Sequence, residues 1–206
     1  MRLLRPSFQI IRAHLGAYLA LNGVVYGLLL LGMGAALAFP ELNAAMITDQ
    51  EEDGTAALVT ALLGNAWLFA LTILAVNVLT VALALILLPS MVVPFAGIAL
   101  FAHKAFTMGV VLAPMDATVA KTLIPHSLTI LIELQAYVLV VLGAYLLGRA
   151  WLRPRTVGAA TRREGYVHGL RQVGRLVPPA MALFVVGALY EALSLIHIVP
   201  RLVIGG

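Results

Sequence analysis

The chain has 206 residues, of which 62% are apolar and only 11% charged, with a net charge of +4 and a mean hydropathy of +1.03. A soluble domain carries roughly a quarter of its residues as charges, so that class is excluded, and with it the nucleic-acid partner that a pI of about 9.8 would invite in a soluble protein. No cysteine is present, which removes disulfides, thiol nucleophiles and Cys-based metal sites.

Residues 1–15 read as a helix lying on the cytoplasmic membrane surface. Leu4, Phe8, Ile11 and Leu15 share one helical face, away from Arg5, Gln9 and Arg12. Residues 16–39 form the first span, too long for a signal-peptide core of ~7–15 residues, so a retained helix is expected. Its Gly23 and Gly27 have small-xxx-small spacing, which suits close packing inside the bundle and also the pairing of two copies. An acidic outer loop follows over 41–60, with Asp49, Glu51, Glu52 and Asp53. It lacks the alternating ligands and closing Glu of an EF-hand, so a solvated loop is expected and no metal.

The second and third spans, 61–88 and 92–113, are joined by the Pro89–Pro94 hinge as a tight hairpin. Residues 114–125 form a short outer loop before the fourth span, 126–149. An Arg-rich connector over 150–175 is expected to carry a second surface helix, with Tyr166, Leu170, Val173 and Val177 on one face and His168, Arg171 and Arg175 opposite. The fifth span covers 176–199.

Charge sets the direction of these crossings. Ten of the thirteen basic residues flank one side: Arg2, Arg5 and Arg12 before the first span, and Arg149, Arg153, Arg155, Arg162, Arg163, Arg171 and Arg175 between the fourth and fifth. Six of the nine acids fall on the other side. Basic flanks stay cytoplasmic. The expectation is an all-α polytopic membrane protein, one membrane domain over 1–206. It has five transmembrane helices, N-terminus cytoplasmic and C-terminus outside, plus N-terminal and connector interfacial helices. The connector arginines Arg153, Arg155, Arg162, Arg163, Arg171 and Arg175 are candidates for docking lipid headgroups or a cytoplasmic partner.

Ionisable groups inside spans are the functional clue, since each costs ~2.5–3.5 kcal/mol at mid-helix on insertion scales. The candidates are Asn77, His103, Lys104, His126, Glu133 and Glu191, aimed at one layer from four spans. Glu133 follows His126 by seven residues on nearly the same helical face. Three readings stay open: a buried ion-pair network joining Lys104 to Glu133 or Glu191, a proton or cation pathway, and a substrate or partner crevice. Catalysis is not expected. His126 and Glu133 are not a His-Glu-x-x-His zinc motif, adjacency of Ser127 and His126 makes no nucleophile–base pair, and no Gly-x-Ser-x-Gly occurs.

Several of these stretches resemble the stage II sporulation protein M family of bacterial membrane proteins. The likeness covers about two-thirds of the chain, from Asn77 to its end. It rests on Asn77, the run Ala102-His103-Lys104-Ala105-Phe106-Thr107-Met108-Gly109, Pro125-His126-Ser127 leading to Ile132-Glu133-Leu134, and Gly187-Ala188-Leu189-Tyr190-Glu191. The family has Asn-Gly where His103-Lys104 stands and His-Gly where His126-Ser127 stands. The resemblance implies a non-enzymatic subunit of the bacterial cytoplasmic membrane, acting as scaffold or permease-like component. Its partners would be peptidoglycan hydrolases or an ABC-type ATPase. This chain has no Walker A loop, so an ATPase would be another polypeptide. No cofactor is implied. The alternative is a self-sufficient proton- or cation-coupled transporter using the intramembrane Glu residues.

Overall fold

The computed structural model describes residues 5–52 and 54–204, so Arg2, Leu4 and Asp53 lie outside the described residues. The chain is helical throughout, with no strand among the described residues. In order come α1 (Arg5–Ala13), α2 (Leu15–Ala38), α3 (Pro40–Glu52), α4 (Thr55–Leu62), α5 (Ala66–Ala75), a π-helical segment (Val76–Leu87), α6 (Leu88–Val92), α7 (Ala96–Val111), α8 (Ala117–Leu152), a 3-10 turn (Pro154–Val157), α9 (Arg162–Leu193), a second π-helical segment (Ser194–Ile198) and α10 (Val199–Ile204).

Among the described residues four helices are long and apolar enough to cross a membrane: Leu15–Ala38, Ala66–Val92, Ala117–Leu152 and Arg162–Leu202. The remaining expected crossing, the third span over 92–113, coincides with α7, an apolar helix of 16 residues. At ~1.5 Å per residue α7 is about 24 Å long, a little less than the ~30 Å hydrocarbon layer.

The bundle is organised around α8. From Glu133 to Ala150 nearly every side chain of α8 is buried, including Leu134, Val138, Leu142 and Leu147. Its main partner is α9, and the two run antiparallel: Gly165 meets Ala150, Gly169 meets Leu147, Gly143 meets Val173 and Gly187 meets Glu133. Glycine lets these backbones approach in a setting where the hydrophobic effect between helices is weak. On the other side α2 packs along α7 through a reciprocal crossing, Gly32 against the Phe106 carbonyl and Gly109 against that of Leu29. These glycines do what was expected of Gly23 and Gly27. Those two are exposed and face open space, so they contribute nothing to packing inside the bundle.

Two expected loops are helical. The acidic 41–60 segment forms α3 and most of α4, turning at Gly54, whose φ of 81° suits glycine. Buried Asn43 anchors α3 by donating to the carbonyls of Val110 (2.8 Å) and Val111 (3.5 Å) at the C-terminus of α7, where carbonyls lack partners four residues on. The 114–125 segment is mostly the first turns of α8, capped by Asp116, which accepts from Thr118 N (2.7 Å) and Val119 N (2.8 Å).

The connector also departs from expectation. After the 3-10 turn, α9 starts at Arg162 and continues without interruption through the stretch expected as the last span, so no separate surface helix exists there. Gly165, Gly169, Val173 and Leu176 form a buried stripe against α8, and Tyr166 donates to the Met91 carbonyl at 3.2 Å. The apolar face read as lipid-facing is in good part a protein contact; Val177 alone of the four expected residues is exposed.

Candidate functional site

Three of the six candidate intramembrane residues come together. Asn77, at the start of the first π-helical segment, donates through Nδ2 to Glu133 Oε1 at 2.6 Å. Glu191, on α9, faces the same space as Asn77 and Glu133. Tyr137, one turn along α8 from Glu133, donates its hydroxyl to Asn77 Oδ1 at 2.9 Å. Asn77 and Glu133 are buried and Tyr137 nearly completely so. Gly187 makes the arrangement fit: a Cβ there would stand 2.8 Å from Glu133 Cγ.

The expected ion pair with Lys104 is not formed: Lys104 is exposed and makes no ion pair among the described residues. The two carboxyls sit on facing helices, Glu133 held by Asn77, because Gly187 lets α8 and α9 come together at this level.

The pair opens on a cavity of about 420 Å³. Lys104 and Thr107 from α7, His126 from α8, and Asp49 and Gln50 from α3 contribute polar groups to its lining. The remaining walls are mainly apolar, with Leu62, Phe69 and Met108 among them. Behind the carboxyls, Tyr137 packs against Phe101 and Phe184, each ring centroid 4.9 Å from its own. These buried rings close the bundle on that side. His103, the remaining candidate, is exposed and is not part of the lining, so it separates from the cluster.

The basic candidates Arg153, Arg155, Arg162, Arg163, Arg171 and Arg175 are all exposed and gather around the α8–α9 turn and the first turns of α9. Thr161 caps α9 by accepting from Glu164 N at 3.2 Å, and Glu164 accepts in turn from Ala160 N at 2.9 Å. Arg163, His168 and Arg171 border an open groove beside this cap.

Sequence reasoning missed a second polar network, at the α2–α8 contact. Tyr18 donates to Gln135 Oε1 (2.6 Å), and Gln135 Nε2 donates to Asn22 Oδ1 (2.6 Å) and Tyr26 Oη (3.0 Å). Gln135 was the available signal, an amide two residues from Glu133 in an otherwise apolar run. No group of three or more His, Cys, Asp or Glu side chains suited to a metal ion occurs among the described residues. No protein-family profile, curated protein or solved structure matches this chain.

Proposed function

We propose that the chain is a non-enzymatic protein of the bacterial cytoplasmic membrane that crosses the bilayer five times, α7 included, and serves as a permease-like component. Glu133 and Glu191 bind a proton or small cation that arrives through the cavity from the outer side. The observation that carries this reading is a cavity lined by both carboxyls, Glu133 and Glu191, on two of the long apolar helices. A purely structural network would neutralise them with the nearby Lys104, at less cost than leaving charges of both signs unpaired. The orientation follows from the basic flanks, which set the arginine-rich α8–α9 turn inside and the acidic α3 outside.

Glu133→Gln and Glu191→Gln test the proposal in liposomes holding a pH-sensitive dye. Glutamine keeps the shape and an acceptor for Asn77 but no longer titrates. Each variant should insert and fold while losing proton or cation movement. Wild-type flux that survives both substitutions would falsify the proposal.

The exposed arginines favour a second reading, a scaffold that docks a protein partner at its inner end. The resemblance to the stage II sporulation protein M family suggests an ATPase subunit or a peptidoglycan hydrolase. Charge reversal at Arg171 and Arg175 should then remove one co-purifying protein. Lipid anchoring would instead give a loss that depends only on the content of acidic lipid.

A further inference from the structure

The cavity presents fixed charge of both signs on apolar walls. Lys104 stands near the middle of α7, about 10–12 Å from either end at ~1.5 Å per residue. It lines the same space as Glu133 and Glu191, yet it has no ion-pair partner among the described residues. His126 and Asp49 are the other titratable groups on these walls. An unpaired ammonium inside a membrane protein is costly, so an anionic group arriving beside Lys104 is favoured. A pair of carboxyls favours an arriving ammonium for the same reason. A simple anion would meet the carboxyls, and a simple cation would meet Lys104. One molecule carrying both charges meets neither penalty.

Size and surface narrow the class. At about 420 Å³ the cavity falls in the range of small-molecule sites, roughly 300–1,000 Å³. Leu62, Phe69, Ile73 and Met108 offer a surface for an apolar group. We propose that the cavity binds a small zwitterionic amino compound with an apolar side chain, its ammonium on Glu133 and Glu191 and its carboxylate on Lys104. This rests on the permease-like reading for the role of the carboxyl pair, but binding itself needs no gradient and can be measured apart from transport.

The probes are L-leucine, L-methionine and L-phenylalanine, with leucinamide, which lacks the carboxylate, and N-acetyl-leucine, which lacks the ammonium. Thermal unfolding of the purified full chain in detergent is followed against the concentration of each. At least one amino acid should raise the midpoint, and both modified leucines should bind weaker than leucine by roughly tenfold or more, as expected for losing one of two charge contacts. Lys104→Met should erase the advantage of leucine over leucinamide. Glu191→Gln should erase its advantage over N-acetyl-leucine. No midpoint shift with any of the three amino acids, or equal shifts with leucine and its two derivatives, overturns the inference even if neither variant folds. Leucine binding without carboxyl-dependent flux in liposomes would remove the transport reading and leave this one standing. Flux without discrimination among the ligands would do the reverse.

Discussion

Asn77→Leu is the sharpest probe of the site, because one side chain makes two of its hydrogen bonds. Leucine keeps the volume of asparagine closely enough that the change is mostly in polarity. It removes the 2.6 Å bond to Glu133 and the 2.9 Å bond from Tyr137. In a soluble core, orphaning two buried groups costs about 1–3 kcal/mol each. Inside a membrane the unfolded reference also finds partners, and interhelical hydrogen bonds average about 0.6 kcal/mol with a maximum near 1.7. The second scale governs here, since all three residues sit on helices long and apolar enough to cross a membrane. Two bonds then give about 1–3 kcal/mol. For a chain of this length that is a fall in unfolding midpoint of roughly 2–12 °C. Tyr137→Phe should lower the midpoint less, since it removes one bond and leaves the ring against Phe101 and Phe184. In the double variant the Tyr137 contribution should vanish, because its hydroxyl has already lost Asn77. Unfolding in mild detergent, followed by tryptophan fluorescence, measures all three. Strictly additive losses, or an Asn77→Leu midpoint equal to wild type, would show that the network stores no coupling energy.

Orientation can be tested cleanly because the chain has no cysteine of its own. A cysteine at Glu52 should react with an impermeant maleimide in intact cells and one at Thr161 should not; labelling at Thr161 would reverse the assignment of sides. His14 makes a prediction about pH. It sits at the bend between α1 and α2, and its pKa is lowered first by burial and then by the charge of Arg149. The folded state therefore binds this proton less well than the unfolded chain, whose histidine titrates near pH ~6.5. The contribution of His14 to stability is complete above that value and falls as the pH drops through the lowered folded pKa. His14→Gln should flatten the loss of stability between about pH 7 and pH 5; an unchanged slope would show that the bend does not sense the proton.

Hydropathy made the spans legible, because a membrane helix announces itself by a long run of residues that water would not tolerate. It did not mark their ends. Residues 117–125 and 162–175 are too polar to look like membrane, yet they are helical because they extend buried helices whose backbone bonds simply continue. The carboxyl pair was half legible. Glu133 and Glu191 stood out as isolated charges, and equal depth could be counted along the helices. Which partner each would choose depended on the distance between α8 and α9, set by glycines whose contacts no periodicity reveals. Small-xxx-small spacing pointed to Gly23, which faces open space, while Gly187, without such spacing, makes room for a carboxylate.

Prolines show the same logic at the inner end of the bundle. Pro179 lies inside α9 and has no N–H to offer the carbonyl four residues earlier, that of Arg175. Near the membrane an orphaned carbonyl must find another donor. It finds Ser7, whose hydroxyl donates to Arg175 O at 2.6 Å and which is only 1% exposed. Beside Ser7, Ile10 is buried as well, while Phe8 and Leu15 face outward, as a helix resting on lipid requires. So α1 is held by a defect in another helix as much as by its own amphipathic face. The hydrophobic pattern of residues 1–15 led to the expectation of a helix lying on the membrane surface. The position of a proline more than 160 residues further on decided what it would touch.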